Sequence, residues 1–141
     1  MFKLVKIPNA GVNVPEPEKL PCQFNFDVDA GCCAVYNPSL NLLALGDQTE
    51  NPTHILIHNA KKGDKTAICY RISPDMIFET TLIGSPAELH NGMTVEFALK
   101  NGLVAYAASD LKSGPVIIYS LDGATKSGDK ILVTLKVQND T

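Results

Sequence analysis

The chain has 141 residues, 45% apolar and 19% charged, with a formal net charge of −3, enough for one domain that buries about two-thirds of its unfolded surface without metals or disulfides. No basic run exceeds Lys61-Lys62, which excludes the concentrated positive charge that nucleic acid or an anionic membrane surface requires, and no stretch approaches the ~18 apolar residues of a membrane span. Charge below the usual ~25% points to surface that is either polar-neutral or covered by partners.

Residues 1–21 differ from the rest. Phe2, Leu4 and Lys6 alternate with Lys3, Val5 and Ile7, and then come Gly11 and Pro8, Pro15, Pro17 and Pro21. Proline at that density favours an extended arm over a helix or an inner strand. The arm either packs on its own domain or reaches a neighbouring subunit. Lysines and Pro8 interrupt the apolar run that a signal peptide needs, so synthesis in a cytoplasm is expected.

From Cys22 to residue 138 the pattern is that of a β-domain, and it recurs, either through duplication or through the shared grammar of hairpins. Asp29–Leu45 lies on His90–Tyr106 without a gap, with Gly31 on Gly92, Tyr36 on Phe97 and Asn41 on Gly102. Ile55-Leu56-Ile57 lies on Ile117-Ile118-Tyr119, and Ala60–Ile72 on Thr125–Val137. The last pair carries the turns Lys62-Gly63-Asp64-Lys65 and Ser127-Gly128-Asp129-Lys130. After the first turn Thr66, Ile68, Tyr70 and Ile72 share one face; after the second, Ile131, Val133, Leu135 and Val137 do. A period of two is strand.

Gly31, Gly63, Gly92, Gly102 and Gly128 are assigned to turns, with Asp64 and Asp129 bonding turn N–H groups. About eight strands result, in two related halves, 22–80 and 81–138. The expected fold is all-β, an antiparallel β-barrel or sandwich with an extended Pro-rich N-terminal arm. Ile68, Val95, Phe97, Val104 and Val133 are its expected core. Ser73-Pro74-Asp75-Met76 and Ser85-Pro86-Ala87-Glu88 each suit a single helical turn.

No constellation specifies a reaction. Cys22, Cys32, Cys33 and Cys69 lack C-x-x-C spacing and read as buried thiols; Cys69 sits mid-strand as a core residue. His54 and His58 lie about 13 Å apart on a strand, too far to share a metal, and read as solvent-facing. His90 reads as a loop residue. Asp27 and Asp29 lack the other donors of a Ca²⁺ loop. Neither phosphate-binding glycine motif is present. No cofactor, metal or catalytic residue is assigned. In 71–79, Met76, Ile77 and Phe78 beside Asp75, Glu79 and Arg71 form either a plug between the halves or an exposed anchor rimmed by charge.

The Pro-rich start Ile7-Pro8-Asn9-Ala10-Gly11-Val12-Asn13-Val14-Pro15, the Gly-Asp turns, Pro52-Thr53-His54-Ile55, the 70–79 stretch and the closing Gly-Asp-Lys-Ile-Leu-Val resemble small proteins encoded beside the major capsid protein in tailed phages and prophages of Gram-positive bacteria. Cys32-Cys33 and Asn37-Pro38-Ser39 depart from that pattern. The resemblance implies head decoration without catalysis: a homo-oligomer, a trimer being one option, bound to a major capsid protein on the virion surface. Phe2, Leu4, Val12, Val14, Met76 and Phe78 are the expected interface residues. The rivals are a small β-barrel that binds a ligand or protein partner at its mouth, and an enzyme assembled in space around Cys69 and His54.

Overall fold

The structure, a computed structural model, describes residues 1–6, 16–109 and 113–137. The described residues contain twelve strands and no helix: β1 (Lys3–Lys6), β2 (Glu18–Pro21), β3 (Cys33–Asn37), β4 (Leu42–Ala44), β5 (His54–Leu56), β6 (Thr66–Arg71), β7 (Ile77–Ile83), β8 (Thr94–Val95), β9 (Phe97–Lys100), β10 (Leu103–Ala108), β11 (Val116–Ser120) and β12 (Lys130–Leu135). The all-β expectation holds. Twelve strands replace about eight, because Glu96 breaks one strand into β8 and β9 and the segments 3–6, 18–21 and 77–83 are themselves strands.

The strands form two lobes. In the first the order is β2-β6-β5-β3-β4, and a parallel bridge from Cys22 to Leu43 brings β4 back to the end of β2. In the second the order is β8-β11-β12-β7-β10-β9; since β8 and β9 are consecutive and β10 pairs in parallel with β7, this sheet is strongly curled, like a half-barrel. β1 adds to β7, antiparallel, on the same edge as β10.

The lobes pair their strands in the same order and the same register. Glu18 faces Cys69 as Phe78 faces Val133. His54 faces Arg71 as Val116 faces Leu135, and Ala34 faces His54 as Val95 faces Val116. Tyr36 faces Leu43 as Phe97 faces Ala107, and the Cys22–Leu43 bridge matches the parallel pair Leu82–Ala107. Backbone bonds outside the strands recur too: Gly31 N–H donates to Leu56 O (2.8 Å) as Gly92 N–H donates to Ile118 O (2.7 Å), and Cys22 N–H donates to Lys65 O (3.0 Å) as Leu82 N–H donates to Asp129 O (2.9 Å).

The matching differs from the ungapped reading in two places: at β4 and β10, where Leu43 corresponds to Ala107 rather than Val104, and at β6 and β12. Ala67 and Cys69, not Thr66 and Ile68, hold the positions of Ile131 and Val133; they are buried, whereas Thr66 is exposed and Ile68 half-buried. The first Gly-Asp turn is one residue longer, since Lys65 O and Asp129 O take equivalent bonds. A one-residue slip flips every side chain to the other face. Four of the five expected core residues are buried, and Ile68 is the exception. The hairpin loops differ as well, Pro38–Asn41 in the first lobe and Asn101-Gly102 in the second.

Two apolar clusters fill the body. One runs through the second lobe and joins it to Cys33, Ile55 and Ile72 of the first; the other fills the first lobe and takes in Leu103 and Ala105 of β10, so β10 is buried on both faces. Phe2 belongs to the first cluster. Its ring meets Phe78 (6.4 Å) and Phe97 (5.6 Å) edge-on, a geometry that aromatic quadrupoles favour. Burying such a ring is worth roughly 1.5–3 kcal/mol, which holds β1 where β7 and β10 part.

Candidate functional site

The difference between the matched lobes marks the site. In the second lobe Phe78, Phe97, Val116 and Leu135 are all at most 1% exposed and pack with Phe2 in one apolar cluster. The same four positions of the first lobe hold Glu18, Tyr36, His54 and Arg71. A polar quartet stands where its twin is wholly apolar.

β5 carries His54 into the lobe, where it is 1% exposed, and β2 brings Glu18 to it: Nε2 lies 2.9 Å from Glu18 Oε2. Nδ1 lies 2.8 Å from Thr53 Oγ1, and Thr53 Oγ1 also accepts the Tyr36 N–H at 2.7 Å. A carboxylate only accepts, so Nε2 carries a hydrogen; in the neutral ring Nδ1 then accepts the Thr53 hydroxyl. Tyr36 stacks edge-on against His54 at 6.1 Å and bonds through its hydroxyl to Asn41 Oδ1, where a φ of 49° suits asparagine. On β6, the Arg71 Nε lies 3.7 Å from Glu18 Oε2, with its side chain 57% exposed and that of Glu18 34% exposed. The site thus runs from a buried imidazole to an exposed guanidinium.

The expectation of a solvent-facing His54 is corrected: the residue is inside, because β5 lies between β3 and β6. His58 and His90 are exposed. Phe2 (4% exposed), Met76 (5%) and Phe78 (0%) are buried in the single chain, so they offer a partner no surface; Met76 and Phe78 belong to the apolar cluster that joins the two lobes. Leu4 is half-buried on β1. Val12 and Val14 lie outside the described residues. Of the expected arm 1–21, the described ends belong to the body, as β1 on β7 and β2 on β6.

Gly31, Gly63, Gly92, Gly102 and Gly128 all have positive φ. Asp64 Oδ2 accepts the Lys61 N–H at 2.9 Å, and Asp129 Oδ2 accepts those of Thr125 (2.9 Å) and Lys126 (3.2 Å). Asp27 Oδ1 accepts the Lys62 N–H, and among the described residues no three His, Cys, Asp or Glu group to hold a metal.

All four cysteines are free and buried. Burial, with the Glu18 charge adding, pushes the Cys69 thiol up to about 12; burial and Asp29 push Cys32 up to about 11. The thiolate is the nucleophile, and these thiols hold their protons at neutral pH.

Two further surfaces stand out. A groove of about 350 Å³ lies between β1 and β5, lined by Phe2, Leu4, Ile55, Ile57 and Tyr70. On the outer face of β8-β11-β12, Thr94, Ile117 and Thr134 stand side by side, beside half-buried Leu132 and Tyr119, which is 52% exposed.

No protein-family model matches the chain, and no curated protein sequence matches it.

Proposed function

We propose that this is a non-catalytic structural protein that acts by docking on a larger protein surface: a capsid-decoration protein, assembled with itself and with a major capsid protein on a virion. The observation that carries the reading is the outer face of β8-β11-β12, where half-buried Thr94, Ile117 and Thr134 and exposed Tyr119 form a neutral patch bordered by Lys130. Depletion of charge with an aromatic residue present is the composition of an interface centre. The raised Cys32 and Cys69 thiols speak against a thiolate mechanism. The rival binding module draws on the polar quartet of the first lobe.

The test is mass spectrometry of density-purified particles from an induced culture, for the native chain and for Ile117→Asp. Co-purification of the native chain near one copy per capsid subunit, with loss of the variant although it folds, supports the reading. Absence of the native chain from intact particles overturns it.

A further inference from the structure

Asparagine followed by glycine occurs at Asn91-Gly92 and Asn101-Gly102, and all four residues are exposed. The pair is chemically vulnerable, because a glycine nitrogen with no Cβ beside it can reach the side-chain carbonyl carbon of the preceding asparagine. The fold treats the two pairs differently. Gly92 N–H donates to Ile118 O at 2.7 Å, and Asn91 Oδ1 accepts the Leu121 N–H at 3.2 Å, so attacking nitrogen and attacked carbonyl are both held. Asn101 and Gly102 form the two-residue turn between β9 and β10, with φ of 53° and 83°, the left-handed pair that a type I′ turn requires. Among the described residues neither the Asn101 side chain nor the Gly102 N–H has a hydrogen-bond partner.

Bringing the glycine nitrogen onto the asparagine side chain means opening the turn. At Asn101 that breaks only the pairing of Lys100 with Leu103, at the end of its ladder; at Asn91 both held groups must first let go. We infer that Asn101 is a site of spontaneous deamidation, at which the folded protein ages, and that the fold protects Asn91. The Gly102 nitrogen bonds to Asn101 Cγ, the Cγ–Nδ2 bond breaks, and ammonia leaves with the Gly102 amide proton. Water then opens the succinimide, at Cγ to give aspartate or at the backbone carbonyl to give isoaspartate. Either product adds a negative charge. Isoaspartate also routes the chain through the former side chain, and the extra backbone carbon does not fit a two-residue turn. It therefore loosens the tip of a hairpin whose Leu103 belongs to the first-lobe cluster and whose Phe97 packs on Phe2. The outer face of β8-β11-β12 takes no part in this chemistry, and neither reading rests on the other.

The test is to hold the full chain at mildly alkaline pH, folded and in urea, and to follow both Asn-Gly peptides by mass spectrometry, with electron-transfer fragmentation separating aspartate from isoaspartate. In urea the two sites should react at similar rates, because only local sequence then acts on them. In the folded chain Asn91 should be slower than Asn101 by about tenfold or more, the effect of two hydrogen bonds that must open first. Asn101→Gly, which accepts the positive φ without cost, should remove the fast phase and leave Asn91 slow. The isoaspartyl form, isolated by chromatography, should show quickened amide exchange at Leu103. Equal rates in the folded chain, a faster Asn91, or an Asn101 that reacts in urea but not when folded overturns the assignment. Unchanged protection of Leu103 in the isoaspartyl form overturns the loosening of the hairpin.

Discussion

His54 and Val116 hold the same place in two matched lobes, yet His54 is tied by both ring nitrogens to Thr53 and Glu18 while Val116 is packed in an apolar cluster. That exchange of a packed methyl pair for a buried hydrogen-bonded ring decides how the first lobe responds to substitution. His54→Ala leaves a cavity and strips Thr53 and Glu18 of a partner. It is expected to cost about 2–4 kcal/mol, against under ~1.5 kcal/mol for Glu18→Gln, whose amide oxygen still accepts from Nε2. Urea unfolding of the two variants checks this; equal losses would mean that the carboxylate's charge, not the acceptor, matters.

Phe2→Ala is expected to cost about 3 kcal/mol and to release β1. Hydrogen exchange should quicken at Phe78 and Glu79, which pair with β1, while the Cys69 and Tyr70 amides of the first lobe stay protected. Uniform loss of protection would instead make Phe2 part of the global unfolding unit.

Gly31 and Gly128 both have positive φ, 92° and 96°, but differ in surroundings. A Cβ on Gly31 would lie 2.9 Å from the Met1 Cβ and 3.0 Å from Phe2 O, whereas nothing lies within 4 Å of one on Gly128. Gly128→Ala should therefore cost only the left-handed conformation, about 1 kcal/mol. Gly31→Ala should cost more, because it also displaces the residue whose N–H bonds to Gly31 O. Thermal melts of the pair separate the two contributions.

Stability should fall at both extremes of pH. Backbone N–H groups of Thr49 and Thr125 hold the Asp47 and Asp129 carboxyls below their ordinary value of 3.8. A lowered folded value gives stability present above 3.8 and lost as pH falls through the folded value. The thiols work in the opposite sense: raised to about 11 and 12, Cys32 and Cys69 favour the fold fully below 9.0 and progressively less as pH climbs towards those values. Melting curves from pH 2 to 12 should show both arms, with Cys69→Ala flattening the alkaline one.

Alternation and glycine placement made the all-β class legible, because a period of two and positive-φ turns are local properties. Burial of alternate residues on β12, with Ile131, Val133 and Leu135 inside, follows directly from the sequence. The polar quartet was not legible, for two physical reasons. Glu18 belongs to a proline-rich stretch that looks like an arm, and only pairing with β6 turns it into a lobe strand. Arg71 stood opposite Lys136 in the ungapped comparison, so its exchange for Leu135 stayed hidden until the longer turn at Asp64 shifted the frame by one residue. With that shift applied, Arg71 against Leu135 and His54 against Val116 would have been the available signal. Burial of Met76 and Phe78 depends on how the lobes meet, which no local pattern encodes.

Two lobes that pair in one order and one register confront the folding chain with an ambiguity of kinship: β6 could add to β7, and β12 to β2, with every backbone bond satisfied. Misassembly between like units is the characteristic failure of repeated architectures. Glu18, His54 and Arg71 make such mixed lobes costly, since a charge set against the apolar partners of the other lobe loses its hydration without gaining its mate. The quartet therefore serves as a mark of identity during folding. Converting it to the Phe, Phe, Val and Leu of its twin should leave each lobe packable while adding slow, off-pathway phases to refolding, visible in stopped-flow fluorescence of the tyrosines.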